Sequence, residues 1–100
     1  MIRHIVMFKL TAFATPSGKQ AKMQEIKTRL EALKDKITQL HKIEVNFNVN
    51  PSEPWDIILT TEVQSLKELD AYASHPAHLE VATNVIAPVK AERACIDYEF

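Results

Sequence analysis

Two alternating stretches joined by a short proline turn constrain the topology more than any other feature of the chain. Ile43, Val45, Phe47 and Val49 alternate with Glu44, Asn46, Asn48 and Asn50, the pattern of a strand with one buried face. Asn50-Pro51-Ser52-Glu53-Pro54 then turns the chain. A link this short joins antiparallel neighbours but falls well below the roughly dozen residues that a parallel crossover needs. The strand from Trp55 to Val63 therefore pairs with the one before it and turns Ile57, Leu59, Thr61 and Val63 inward.

Further segments surround this hairpin. Ile2 to Leu10 alternates as a strand, with Ile2, His4, Val6, Phe8 and Leu10 on one face and Arg3, Ile5, Met7 and Lys9 on the other. A loop with Pro16 and Gly18 follows, in which Thr15 or Ser17 caps a helix. Met23, Ile26, Leu30, Leu33, Ile37 and Leu40 recur at helical spacing, with the Lys and Glu residues around them reading as a solvated face. Ser65-Leu66-Lys67-Glu68 has capping-box spacing, and Leu66, Leu69 and Tyr72 or Ala73 form the stripe of a second helix. Pro76 breaks that helix and restarts it, since proline lacks an amide hydrogen and fits the first helical position. His78 begins a new stripe with Ala82 and Val85. In the last strand Ala94, Ile96, Tyr98 and Phe100 alternate with Arg93, Cys95, Asp97 and Glu99, and the apolar row is expected to face the core.

Strand, helix, strand, strand, broken helix, strand, with right-handed crossovers, gives an α+β fold. Its core is a ferredoxin-like antiparallel four-stranded sheet with the helices on one face, one domain over residues 1–100. The opposite face would carry Arg3, Ile5, Met7, Asn46, Ile58, Arg93, Cys95 and Asp97 among others, too apolar to be left to solvent. A second copy packing its own sheet there is the natural cover. At 100 residues the chain is also small for an enclosed pocket of its own.

Charge narrows the partners. Lys+Arg 12 against Asp+Glu 13 gives no basic field, which disfavours nucleic acid or an anionic membrane surface, and no apolar run approaches the roughly 20 residues of a membrane helix. The lone Cys95 has no internal disulfide partner and no signal peptide precedes the first strand, so a cytoplasmic location is expected.

Arg3-His4-Ile5-Val6-Met7-Phe8-Lys9, then Tyr72 to His78 with His75-Pro76-Ala77-His78, then Ile96-Asp97-Tyr98, occur in an order and spacing that resembles the stress-responsive dimeric α+β-barrel (Dabb) family over essentially the whole chain. The resemblance implies a homodimer with facing sheets and a pocket between sheet and helices in each protomer. Some family members are polyketide cyclases, in which a histidine and a tyrosine at the positions of His78 and Tyr72 perform acid-base chemistry. Where those cyclases place aromatic side chains on the first helix and a further histidine on the third strand, this chain has Met23, Ile26 and Leu30, and Ile57 and Leu59. These departures argue against a long aromatic polyketide as substrate.

His78 and Tyr72 are thus the candidate catalytic pair. A neutral imidazole near a helix N-terminus accepts a proton near neutral pH, and a phenol orients or protonates a substrate oxygen. His4, Val6, Phe8, Ile57 and Leu59 are expected to form the substrate-binding floor. Each also has a plain structural role, as core packing or as a histidine bonded to a carbonyl. His75 reads as a brace at the break and His41 as a surface residue. No metal or other cofactor is expected. His75, His78 and His4 are the set that an ion could share, but the break places His75 outside the helix that carries His78, and no nearby carboxylate or cysteine completes the set, Asp70 being only a remote candidate. Cys95 reads as an interface thiol. The leading expectation is a homodimer that binds a small, largely apolar ligand bearing a carbonyl or hydroxyl and transfers a proton next to the carbonyl, as a cyclase or isomerase does. A non-catalytic binding or structural dimer is the second reading, and a cofactor-free monooxygenase the third.

Overall fold

A computed structural model describes all 100 residues. Four strands, β1 (Ile2–Leu10), β2 (Lys42–Phe47), β3 (Ile57–Val63) and β4 (Lys90–Glu99), form one sheet in the order β2-β3-β1-β4, every neighbouring pair antiparallel. The ferredoxin-like arrangement expected from the element order is present. Helix α1 (Pro16–Glu31) follows β1, while α2 (Leu66–Ala73) and α3 (Pro76–Val81) lie between β3 and β4.

The helix boundaries have local causes. Thr15 caps α1 by accepting the Gly18 amide at 3.0 Å, with Pro16 in the first turn. Ser65 caps α2 through the Glu68 amide at 3.2 Å. Pro76 starts α3 as its spacing required, and His75 caps it, its Nδ1 accepting the Ala77 amide at 3.0 Å. Beyond α3 the chain widens into a π-helical turn over Ala82–Ile86 and a 3-10 turn over Ala87–Val89 before entering β4.

The core is a single cluster in which Ile26 and Leu30 of α1 meet Val6, Val45, Ile57, Leu59 and Val63 of the sheet. The helical apolar stripe continues past α1 through Leu33 in a 3-10 turn to Ile37 and Leu40, all buried. Lys27 and Glu31 do more than face solvent. Lys27 Nζ donates to the Val45 carbonyl at 2.6 Å and the Val45 amide donates to Glu31 Oε2 at 3.0 Å, satisfying backbone groups on the free edge of β2. Smaller differences from the sequence reading occur at element ends. β2 stops at Phe47, leaving Val49 exposed, β3 begins at Ile57 rather than Trp55, and Leu66 at the mouth of α2 is exposed rather than part of its stripe.

The larger difference is the face that β4 presents. Phe8 pairs with Arg93, Val6 with Cys95 and His4 with Asp97, so Arg93, Cys95 and Asp97 lie on the helix side, and Ala94, Ile96 and Tyr98 lie on the outer face opposite Met7, Ile5 and Arg3. The expected burial of the more apolar row is inverted. Its physical reason is that β4 is an edge strand whose inner face borders a cavity instead of packed helix. The outer face is consequently more apolar than expected, with Ile5, Met7, Ile58, Ala94 and Ile96 grouped together. Arg3 closes one end, donating to Glu62 at 2.9 Å and to the Tyr98 hydroxyl at 2.7 Å, with its guanidinium 3.9 Å from the Phe100 ring centroid.

Candidate active site

The break at Pro76 sets the site. By ending α2 at Ala73 and restarting at Pro76, it turns His78 back toward the last carbonyls of α2. His78 Nδ1 lies 2.9 Å from the Ala73 carbonyl oxygen. A carbonyl only accepts, so Nδ1 carries the proton and Nε2 is left as the acceptor of the ring. Burial is the largest cause that lowers the His78 pKa below its ordinary value; the Ala73 carbonyl works against it, and His4, Arg93 and His75 add to the lowering. The neutral imidazole expected from sequence thus owes more to desolvation than to a helix terminus.

A cavity of about 310 Å³ opens between the sheet and the broken helix, within the usual range for a small-molecule pocket. His4, Val6, Phe8 and Leu59 form its floor and Tyr72 and His78 one wall, so six of the seven expected site residues converge. Ile57 does not. Its side chain is buried in the core, and the residue borders instead a separate groove with Met7, Phe47, Trp55 and Ile58. Leu30, Leu69, Ala82 and Ile86 supply further apolar wall.

Tyr72 is placed by its ring. The ring centroid is 4.6 Å from that of His78 and 6.5 Å from that of His4, the latter edge-to-face. Its hydroxyl is buried beside that of Thr61; the contact falls short of regular hydrogen-bond geometry, although Thr61 partly offsets the desolvation of the phenol. Desolvation pushes the phenol up to about 12, so it stays protonated throughout the physiological range.

β4 supplies residues that were not expected at the site. Lys90, Arg93, Cys95 and Asp97 all line the cavity. Asp97 Oδ1 lies 2.5 Å from His4 Nδ1, and Cys95 Sγ lies 3.4 Å from the same nitrogen. Cys95 therefore faces the pocket and is not the interface thiol that its assumed row implied. Burial and the Asp97 charge raise its thiol pKa, opposed by Arg93. The signal that would have found these residues is the register of β4 against β1, which alternation within one strand does not contain. The cavity joins a basic imidazole, two cations and a His-Cys-Asp cluster over an apolar floor, an arrangement able to hold a small polar-headed molecule and move a proton.

No helix is long and apolar enough to cross a membrane. Among curated proteins none matches the chain. Solved structures do. A dimeric protein of unknown function with a ferredoxin-like fold from Bacteroides fragilis is 42% identical with a TM-score of 0.90, the match covering 99% of this chain and 95% of that one. A dimeric ferredoxin-like protein of unknown function from Thermobifida fusca is 24% identical with a TM-score of 0.81, covering 99% and 90%. The hydroxynitrile lyase of Passiflora edulis shares the fold at 15% identity and a TM-score of 0.80, covering 97% and 90%. The Stress responsive A/B Barrel Domain matches residues 2–100, nearly the full chain. The protein belongs to the stress-responsive A/B barrel (Dabb) domain family.

Proposed function

We propose that this chain acts as a homodimer that binds a small, largely apolar molecule bearing a carbonyl or hydroxyl, and that His78 removes a proton from the carbon next to the carbonyl. The observation that carries the reading is the fixed tautomer of His78, whose Nδ1–H is committed to the Ala73 carbonyl while burial keeps the ring neutral. In the forward step Nε2 takes the proton and negative charge grows on the substrate oxygen. Arg93 and Lys90, both on the cavity wall, are the groups suited to meet that charge. Return of the proton from Nε2 to a different carbon completes an isomerisation; where the enolate carbon first adds to a second carbonyl of the same molecule, opening its C=O π bond, return of the proton to that oxygen completes a cyclisation, and neither route changes the net oxidation state. Tyr72 serves through its ring, which packs against His78 and fixes its plane; with its hydroxyl enclosed beside Thr61 it is a positioning residue.

The dimer rests on the outer sheet face, where Ile5, Met7, Ile58 and Ile96 form an apolar surface in the isolated chain, and on relatives that are dimeric. The Passiflora edulis hydroxynitrile lyase shares the fold at 15% identity, a likeness of fold that specifies neither chemistry nor substrate for this chain. A cytoplasmic site of action remains part of the proposal. Thermal-shift screening of small ketones and aldehydes, each binder then followed for chemical change, tests the reading. Conversion by the wild type that is lost in His78→Ala supports it. Tight binding with no conversion would favour the non-catalytic binding dimer instead.

A further inference from the structure

Three side chains of different chemistry converge at one corner of the cavity. His4 Nδ1, Cys95 Sγ and Asp97 Oδ1 all lie within 4.8 Å of one another. Cys95 Sγ is 3.4 Å from His4 Nδ1 and 3.9 Å from Asp97 Oδ1. With zinc bonds of about 2.3 Å to sulfur and 2.0–2.2 Å to nitrogen or oxygen, tetrahedral geometry puts ligand atoms about 3.4–3.6 Å apart. The two distances to sulfur already bracket that range. Only the His4–Asp97 pair is closer, at 2.5 Å, the spacing of groups that share a proton. A metal that displaced the proton would open the pair.

Protons alone join the three groups unevenly, since the Cys95 thiol reaches its acceptor, Asp97 Oδ1, only at 3.9 Å. His4 Nδ1 offers either one N–H or one lone pair, yet both Asp97 and Cys95 are directed at it. This also rules out a nucleophile relay, which needs the thiol and the carboxylate on opposite ring nitrogens. One ion satisfies all three groups. The ladder places them rigidly, His4 directly across from Asp97 and diagonal to Cys95, which pairs with Val6 two positions along on the same face. We propose that His4, Cys95 and Asp97 form a binding site for a borderline divalent transition metal such as Zn²⁺, with a fourth position open to the cavity.

The donor set decides the class of ion. A thiolate beside an imidazole disfavours Mg²⁺ and Ca²⁺, which take oxygen ligands, and suits Zn²⁺ or Co²⁺. One thiolate and one carboxylate balance the charge of a divalent ion, so the neighbouring Arg93 faces a neutral centre. Three protein ligands with an open fourth position is the pattern of zinc sites that act on a substrate oxygen. The inference stands independently of the proton-transfer reading, because it concerns occupancy and not turnover.

Co²⁺ titration of the reduced, metal-free protein, followed by absorption, tests it. One Co²⁺ per chain should bind with a near-ultraviolet thiolate-to-cobalt charge-transfer band, and Zn²⁺ should displace it. Cys95→Ser should abolish the band. His4→Ala and Asp97→Asn should weaken binding by more than the roughly 10- to 100-fold that loss of an outer-shell partner costs. His41→Gln, on the far surface, should change nothing. Asp97→Asn, at a partly exposed position, suffices where His4→Ala fails to fold. Saturating Co²⁺ without the band would overturn the site, as would a band whose affinity is indifferent to Asp97→Asn.

Discussion

Replacing Ile96 by glutamate tests the outer face of β4 as an assembly surface. Ile96 is 65% exposed in the single chain, so the substitution removes little packing from the monomer. Full burial of an isoleucine side chain contributes about 1.5–3 kcal/mol, so covering that exposed 65% contributes about 1–2 kcal/mol. A two-fold interface counts each contact twice, giving about 2–4 kcal/mol per dimer. At about 1.4 kcal/mol per tenfold, dimerisation should weaken by about 30- to 700-fold, and desolvation of the new carboxylate makes this a lower bound. Sedimentation equilibrium across nanomolar to micromolar concentrations measures the change, with circular dichroism checking that the fold persists. Leu79→Glu, at a 48% exposed position on α3 away from the sheet, is the control and should leave assembly intact. An Ile96→Glu protein that dimerises as tightly as wild type would refute the assignment of this face.

Other consequences concern the site itself. Because burial holds His78 below its ordinary 6.5, the unfolded chain takes up a proton there first as pH falls, so His78 costs stability only below pH 6.5. An NMR titration should give a His78 midpoint under 6.5, and His78→Gln should flatten that part of the stability curve; a midpoint at or above 6.5 contradicts the burial argument. Tyr72→Phe removes a buried hydroxyl that makes no hydrogen bond, a group whose desolvation costs about 1–3 kcal/mol, so the melting temperature should hold or rise. A clear fall would mean that the hydroxyl has a partner in solution. His75→Ala removes the cap of α3 and should cost about 1 kcal/mol, lowering the melting temperature by about 4–8 °C; an unchanged melting temperature would show that packing alone holds the break.

Local chemistry made much of the fold legible. The short Asn50–Pro54 turn dictated the hairpin, Thr15 and Ser65 marked helix starts, and Pro76 marked the break that aims His78. These signals are carried by residues adjacent in sequence. The face of β4 was not, because a strand's alternation says that two rows exist but only its register with a neighbour says which row points where. The rule that the apolar row turns inward fails at β4, where the inner side lines a cavity and tolerates Arg93, Cys95 and Asp97. That inversion hides Arg93, Cys95 and Asp97 from a reading of the sequence. Sequence places His4 on the cavity floor but not beside Asp97 and Cys95, and Ile57 shares a row with Leu59 although the cavity ends short of it. Tyr72 was legible as a pocket residue by position, whereas the enclosure of its hydroxyl beside Thr61 depends on β3.

If His78 is a base acting beside a carbonyl, it loosens a proton on the neighbouring carbon whether or not a product forms. Hydrogen-deuterium exchange at the α-carbon of a bound small ketone in D₂O, followed by NMR, reports that step even where no net product forms. Wild type should accelerate exchange of the ketones that it binds, and His78→Ala should bind them comparably but exchange them about 10²- to 10⁴-fold more slowly. A ketone that binds the wild type yet exchanges no faster than in buffer, or equally fast with His78→Ala, would contradict it.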